Sequence, residues 1–318
     1  MQRKTPMALS PLSISGVIPA HLQPFTAEGR LDEANLRKHL RSLLDVPGIS
    51  GMTTNAHASE TATLTDDERS RQLDIVLEET NGKVPVIAGI YEDGSAKAAA
   101  AAIRAQRAGA DGLLIFPSAV LDGGGYQRPE MARSHFAEIA SATDLPLVAF
   151  IYPHFSALRF TVDGIMQLCS EIETIAAVKE WSNDIVIYER TWRALKSLDR
   201  DVAVLSSFSR SLFSSLCVGA DGILSGHGSI VASLHVSLWE AVNKLDLAEA
   251  RRVWDRIWPL AEECYKEPLL DGHNRMKNIL ALTGGIDEAH VRSPLQPLSD
   301  DELAGLRTAI AESGLVHA

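Results

Sequence analysis

The chain has 318 residues, 46% of them hydrophobic and 22% charged, which supplies one large core and excludes a disordered chain. Its formal net charge is −11 and its Lys and Arg residues form no run, so a nucleic-acid partner is excluded on electrostatic grounds. No stretch of about twenty uninterrupted apolar residues exists for a membrane span.

The N-terminal segment carries positive charge, but Pro6, Ser10, Pro11 and Ser13 interrupt its apolar residues, so no signal-peptide core is expected. From there, short β-branched apolar runs alternate with longer amphipathic segments. The strand candidates are Gly16–Pro19, Gly48–Thr54, Val84–Ile90, Gly112–Phe116, Leu147–Tyr152, Ile175–Lys179, Val202–Ser206 and Gly222–Ser225. Helix candidates fall near 32–45, 65–80, 95–109, 129–142, 161–171, 184–198, 209–218 and 229–243. Two have recognisable starts: Thr65-Asp66-Asp67-Glu68 is a capping-box pattern, and Thr161 offers an N-cap hydroxyl.

Gly109-Ala110-Asp111-Gly112 recurs as Gly219-Ala220-Asp221-Gly222, each just before a strand candidate, which suggests quasi-equivalent units. Eight strand-helix units predict an α/β fold of the (β/α)8 TIM-barrel kind. A doubly wound open sheet would carry a glycine fingerprint after its first strand, and Ala20-His21-Leu22-Gln23-Pro24 is not one. Beyond residue 245 the pattern is helical, at Ala248–Cys264, around Arg275–Leu282 and from about Asp300. The expected organisation is a barrel over 1–245 and a C-terminal helical extension over 246–318, packed outside the barrel.

Lys179 ends the sixth strand candidate and Tyr152 the fifth, which puts both at the C-terminal face where barrels hold their active sites. An ammonium there is either paired, for instance with Glu180, or extended to solvent, or it loses its charge and becomes a nucleophile able to form an imine. A phenol beside an imine can move protons. Cys169, Cys217 and Cys264 are odd in number and widely spaced, which suits a reducing cytoplasm rather than a disulfide framework. The ten histidines show no zincin spacing, so no metal site is expected. Trp181, just past the lysine, is placed to border a pocket.

These residues resemble the dihydrodipicolinate synthase and N-acetylneuraminate lyase group of class I aldolases. The resemblance rests on Gly16-Val17-Ile18-Pro19, Glu60-Thr61-Ala62-Thr63-Leu64-Thr65-Asp66-Asp67-Glu68-Arg69, Val84-Pro85-Val86-Ile87-Ala88-Gly89, Phe150-Ile151-Tyr152-Pro153 and Val178-Lys179. It implies that Lys179 is the Schiff-base lysine, that Tyr152 is the acid/base residue, and that no cofactor is needed.

Three departures are equally plain. Where the family reads Gly-Thr-Thr-Gly-Glu, this chain has Ala56-His57-Ala58-Ser59-Glu60, so the usual threonine relay is replaced. Pro117-Ser118-Ala119 stands where synthases carry Pro-Tyr-Tyr, and Ala157 occupies the offset of an arginine that binds the synthases' second substrate.

The resulting expectation is a Schiff-base lyase, an aldolase or dehydratase of a 2-oxo acid such as a substituted pyruvate with an aromatic or sugar-derived chain. Lys179 and Tyr152 are its catalytic residues, and His57, Ala58, Ser59, Ser206 and Leu224 its substrate-binding residues. His57 either serves the substrate or fills the vacated threonine volume, and Glu60 is read as structural beneath the pocket. Ser225-Gly226-His227-Gly228, ahead of a helix, is a weak candidate for anion binding. The partners expected are a small 2-oxo acid or aldehyde and further copies of the chain, as a dimer or homotetramer. The alternatives are a non-catalytic, metabolite-binding barrel and dihydrodipicolinate synthase proper.

Overall fold

In the computed structural model, which describes residues 14–315, eight strands alternate with eight helices. The N-terminal expectation concerns residues that fall almost wholly outside that range. The units are β1 (Gly16–Pro19) with α1 (Glu33–Leu44), β2 (Met52–Thr54) with α2 (Asp66–Thr80), β3 (Val86–Ile90) with α3 (Ser95–Ala108), and β4 (Gly112–Ile115) with α4 (Pro129–Ala142). They continue as β5 (Leu147–Ile151) with α5 (Val162–Glu171), β6 (Ile175–Glu180) with α6 (Ile185–Lys196), β7 (Ala203–Ser206) with α7 (Leu212–Val218), and β8 (Gly222–Ser225) with α8 (Gly228–Asn243). The extension forms α9 (Leu247–Tyr265), α10 (Gly272–Leu282) and α11 (Asp300–Ser313).

All strand pairs are parallel, and β8 returns to β1 with Gly16 beside Gly222. Single parallel bridges from Val17 to Ile49 and from Ala20 to Thr53 join β1 to the β2 segment and complete the circle. Both faces of such a sheet are covered, so its strands are almost continuously buried, as β3, β4 and β5 are over their whole lengths. The fold is a TIM barrel with a helical extension.

The local signals act as their chemistry dictates. Thr65 accepts from Glu68 N–H while the Glu68 carboxylate accepts from Thr65 N–H, a complete capping box. Gly109 and Gly219 sit at φ of 109° and 120°, where a side chain would be strained. The aspartate two residues on then performs the same task twice. Asp111 bonds Val86 through both its N–H and its carboxylate, and Asp221 bonds Val204 in the same way. Each repeat thus pins the start of the neighbouring strand.

Several boundaries differ from expectation; β5, for one, ends at Ile151, so that Tyr152 stands just past it. β2 starts at Met52 rather than Gly48, because Gly48 adopts φ of 93° in a turn. β6 runs to Glu180, and the seventh helix is preceded by a separate 3-10 turn, Ser209–Ser211. In the extension α9 packs on α8 and α11 on α9, and α10 reaches the barrel's mouth.

Candidate active site

Strand alternation decides what Lys179 meets. Successive side chains point to opposite faces, so Lys179 faces the barrel interior while Glu180 faces the helices. The Glu180 carboxylate accepts from Ser182 N–H, and no ion pair joins it to Lys179 among the described residues. Lys179 is only 4% exposed, and its Nζ lies 4.1 Å above the Phe150 ring, its register neighbour on β5. Burial without a counter-charge pulls its pKa down to about 7.

Two residues past Phe150, Tyr152 turns its phenol onto the same face. Its hydroxyl is 2.6 Å from His57 Nε2, and either group donates according to the imidazole tautomer. Burial raises the phenol's pKa, so it is a hydroxyl at neutral pH. His57 is held edge-on by Phe116 and Tyr91, at ring separations of 4.8 and 5.7 Å. Burial first, then the nearby His273 and Lys179, holds its pKa well below the usual imidazole range. The pair is therefore neutral and can hand a proton in either direction.

Around these groups lies a small cavity, bordered by His57, Lys179, Trp181, Tyr265 and His273. Ala58, Ser207 and Gly226 form its small-residue side. A Cβ on Gly226 would lie 3.0 Å from Ala58 Cβ and 3.4 Å from His273 Nε2. The glycine and the alanine together leave the room in which the His273 ring stands. Burial, followed by the charges of Lys179 and Lys277, lowers His273 to about 4.

Of the expected site residues, Lys179, Tyr152, His57 and Ala58 are thus brought together. Ser59 is not: its buried hydroxyl accepts from Ala56 N–H and donates to Ala56 C=O, which fixes the turn after β2. Ser206 pairs with Ser215 on the outer side of β7, and the strand-end residue that reaches the cavity is Ser207. Leu224 is a fully buried core residue beside Ile18, and Gly226, just past β8, reaches the cavity instead. Glu60 lies beneath the site in an ion pair with the buried Lys277 of α10.

His273, Tyr265 and Leu269 were not legible in the sequence, since no spacing links the extension to the strand ends. Among the described residues no group of three His, Cys, Asp or Glu is arranged to hold a metal, and no helix is long and apolar enough to cross a membrane.

Residues 13–313 match the Dihydrodipicolinate synthetase family. An uncharacterised DapA-like lyase of Halobacterium salinarum is 29% identical over 313 residues, 96% of each chain. A 4-hydroxy-tetrahydrodipicolinate synthase of Methanosarcina acetivorans is 29% identical over 95% of this chain and 99% of its own. The crystal structure of dihydrodipicolinate synthase from Thermotoga maritima superposes with a TM-score of 0.85 at 26% identity, covering 95% of this chain and 99% of that one.

Proposed function

Because the chain belongs to the Dihydrodipicolinate synthetase family, whose members are lyases of the class I aldolase type, we propose that it cleaves or dehydrates a substituted 2-oxo acid through an imine on Lys179. The carrying observation is a buried lysine without a carboxylate partner, facing a hydrogen-bonded Tyr152–His57 pair.

The neutral Lys179 amine attacks the C2 carbonyl carbon, and the carbinolamine loses water as the Tyr152–His57 pair supplies a proton to the departing oxygen. In the protonated imine, the C3–C4 bond breaks and its electron pair enters the imine. The C4 hydroxyl proton passes to Tyr152, and an aldehyde leaves. The enamine takes a proton at C3, and water hydrolyses the new imine to free Lys179 and the smaller 2-oxo acid. Dehydration differs in one step: the pair removes a C3 proton and the C4 hydroxyl leaves as water. In this reading His57 replaces the family's threonine relay, and no external cofactor takes part.

4-Hydroxy-tetrahydrodipicolinate synthase activity is the second reading, since several relatives carry that name. Three placements weigh against it. Ala157 brings no cation to the site. Arg159 is stacked on the Tyr126 ring at 3.4 Å, where it donates to Ser156 C=O. Ser118 donates to Asp93 C=O, where the synthases have a tyrosine. The enzyme is further read as a cytoplasmic homo-oligomer, a dimer or tetramer, which sedimentation would establish.

Intact-mass analysis after borohydride reduction with pyruvate tests the central step. A covalent adduct that disappears in Lys179→Ala supports it. A folded protein with no adduct from pyruvate or other 2-oxo acids overturns it.

A further inference from the structure

Beside the lysine cavity lies a second, larger opening, and Trp181, Tyr265 and Leu269 are walls of both. The two spaces therefore adjoin, with these three side chains at their boundary. The outer part adds Phe155 after β5, Phe208 after β7 and Trp258 on α9. Phe155 is 63% and Trp258 43% exposed, so two large apolar side chains stand open to water at the mouth of a site.

The polar groups of the outer part are engaged elsewhere. Ser209 is hydrogen-bonded to Ser225 and donates to the Tyr265 hydroxyl. The Arg210 guanidinium lies 2.8 Å from the Glu262 carboxylate. The Glu267 carboxylate accepts from Leu269 N–H. A phosphate or carboxylate would need a free cation here, and the two carboxylates outnumber the one arginine. A polyol would need a row of unengaged donors and acceptors, and the outer part offers the side-chain amide of Asn183 and the indole N–H groups of Trp181 and Trp258. Flat aromatic surface is what the aromatic walls match.

We propose that this outer cavity receives the part of the substrate beyond C4, and that this part is an uncharged aromatic ring. The substrate class is then a 4-aryl-4-hydroxy-2-oxo acid, cleaved to pyruvate and an aromatic aldehyde. The proposal rests on the imine chemistry described above. Cleavage breaks C3–C4, sends the C4 hydroxyl proton to Tyr152 and leaves the aldehyde between Trp181 and Trp258. C3 then gains a proton, and water releases pyruvate from Lys179.

The test runs the reaction in the condensing direction, with pyruvate and four aldehydes: benzaldehyde, acetaldehyde, succinic semialdehyde and glyceraldehyde 3-phosphate. Acetaldehyde is too short to reach the outer cavity and serves as an internal reference. The expected kcat/KM for benzaldehyde exceeds that for each of the other three by about tenfold or more. Trp258→Ala, and separately Phe155→Ala, lowers the benzaldehyde-to-acetaldehyde ratio by about tenfold, a ratio that a general loss of folded enzyme does not move. Glu262→Gln, which releases Arg210, raises the relative rate with succinic semialdehyde.

A pyruvate adduct accompanied by preference for an anionic aldehyde, by no aldehyde turnover, or by an unchanged ratio in both aromatic variants overturns the proposal and leaves the imine reading standing. Absence of the pyruvate adduct overturns both.

Discussion

A lysine in water holds its proton until about pH 10.4, so at neutral pH it is a poor nucleophile; burial at the end of β6 changes that for Lys179. With the amine titrating at about 7, the single-turnover rate of pyruvate adduct formation is expected to rise through that pH and level above it. A profile still climbing toward pH 10 would contradict the assignment. The same shift costs stability. Between about pH 7 and 10.4 the unfolded chain binds the proton that the folded chain releases, so wild-type stability rises with pH across this window. Lys179→Met should therefore be more stable than wild type, by most below pH 7, with the margin closing toward pH 10.4 in urea titrations. Tyr152→Phe keeps the ring that packs on Phe150 but removes the hydroxyl that meets His57. Its turnover should fall about 100-fold or more, and His57→Phe should fall comparably, while Tyr152→Phe keeps a detectable adduct on prolonged trapping. Wild-type turnover in Tyr152→Phe would remove the phenol from the mechanism.

At the scale of elements, the loop after β2 and helix α10 are tied by one buried contact. Lys277 is fully buried, pairs with Glu60, donates to His290 C=O at 2.6 Å and lies 4.7 Å above the Phe25 ring. Glu60 adopts φ of 51°, a left-handed conformation that turns its carboxylate toward α10. Because His273 lies one turn before Lys277 on α10, the ion pair also sets where His273 stands over Lys179. Removing one partner strands the other charge. Glu60→Gln should cost about 3 to 5 kcal/mol in chemical denaturation, and the double variant Glu60→Gln, Lys277→Met should recover most of it. A double variant destabilised by the sum of the losses in Glu60→Gln and Lys277→Met alone would show that the pair is not coupled. The Gly-Ala-Asp-Gly repeats were legible beforehand because glycine stops and aspartate turns act over two or three residues. The Glu60–Lys277 contact was not, because nothing local distinguishes Lys277 from a lysine on a solvated face.

For the whole molecule, the helices after residue 246 contribute both packing and chemistry. The apolar face of α9, with Val253, Ile257, Leu260 and Cys264 buried, packs on α8, and α9 and α10 supply Tyr265 and His273 to the cavity. We propose that barrel and extension fold as one cooperative unit. A chain ending at residue 246 exposes the α8 surface that this face covers, leaves Glu60 without Lys277 and should show no cooperative melt by circular dichroism. A melt close to that of the full chain, with adduct formation retained, would show that the barrel stands alone. The sequence by itself determined the eight strand-helix units, the cap chemistry and the lysine and tyrosine at two strand ends. Alternation, capping and glycine stops are local consequences of backbone geometry and can be read residue by residue. Only the tertiary structure decided that Ser207 rather than Ser206 meets the cavity, that His57 meets Tyr152, and that His273 and an aromatic outer wall complete the site. A shift of one residue at a strand end reverses the face a side chain occupies, and contacts between distant segments leave no period in the chain; both are fixed by how the layers pack.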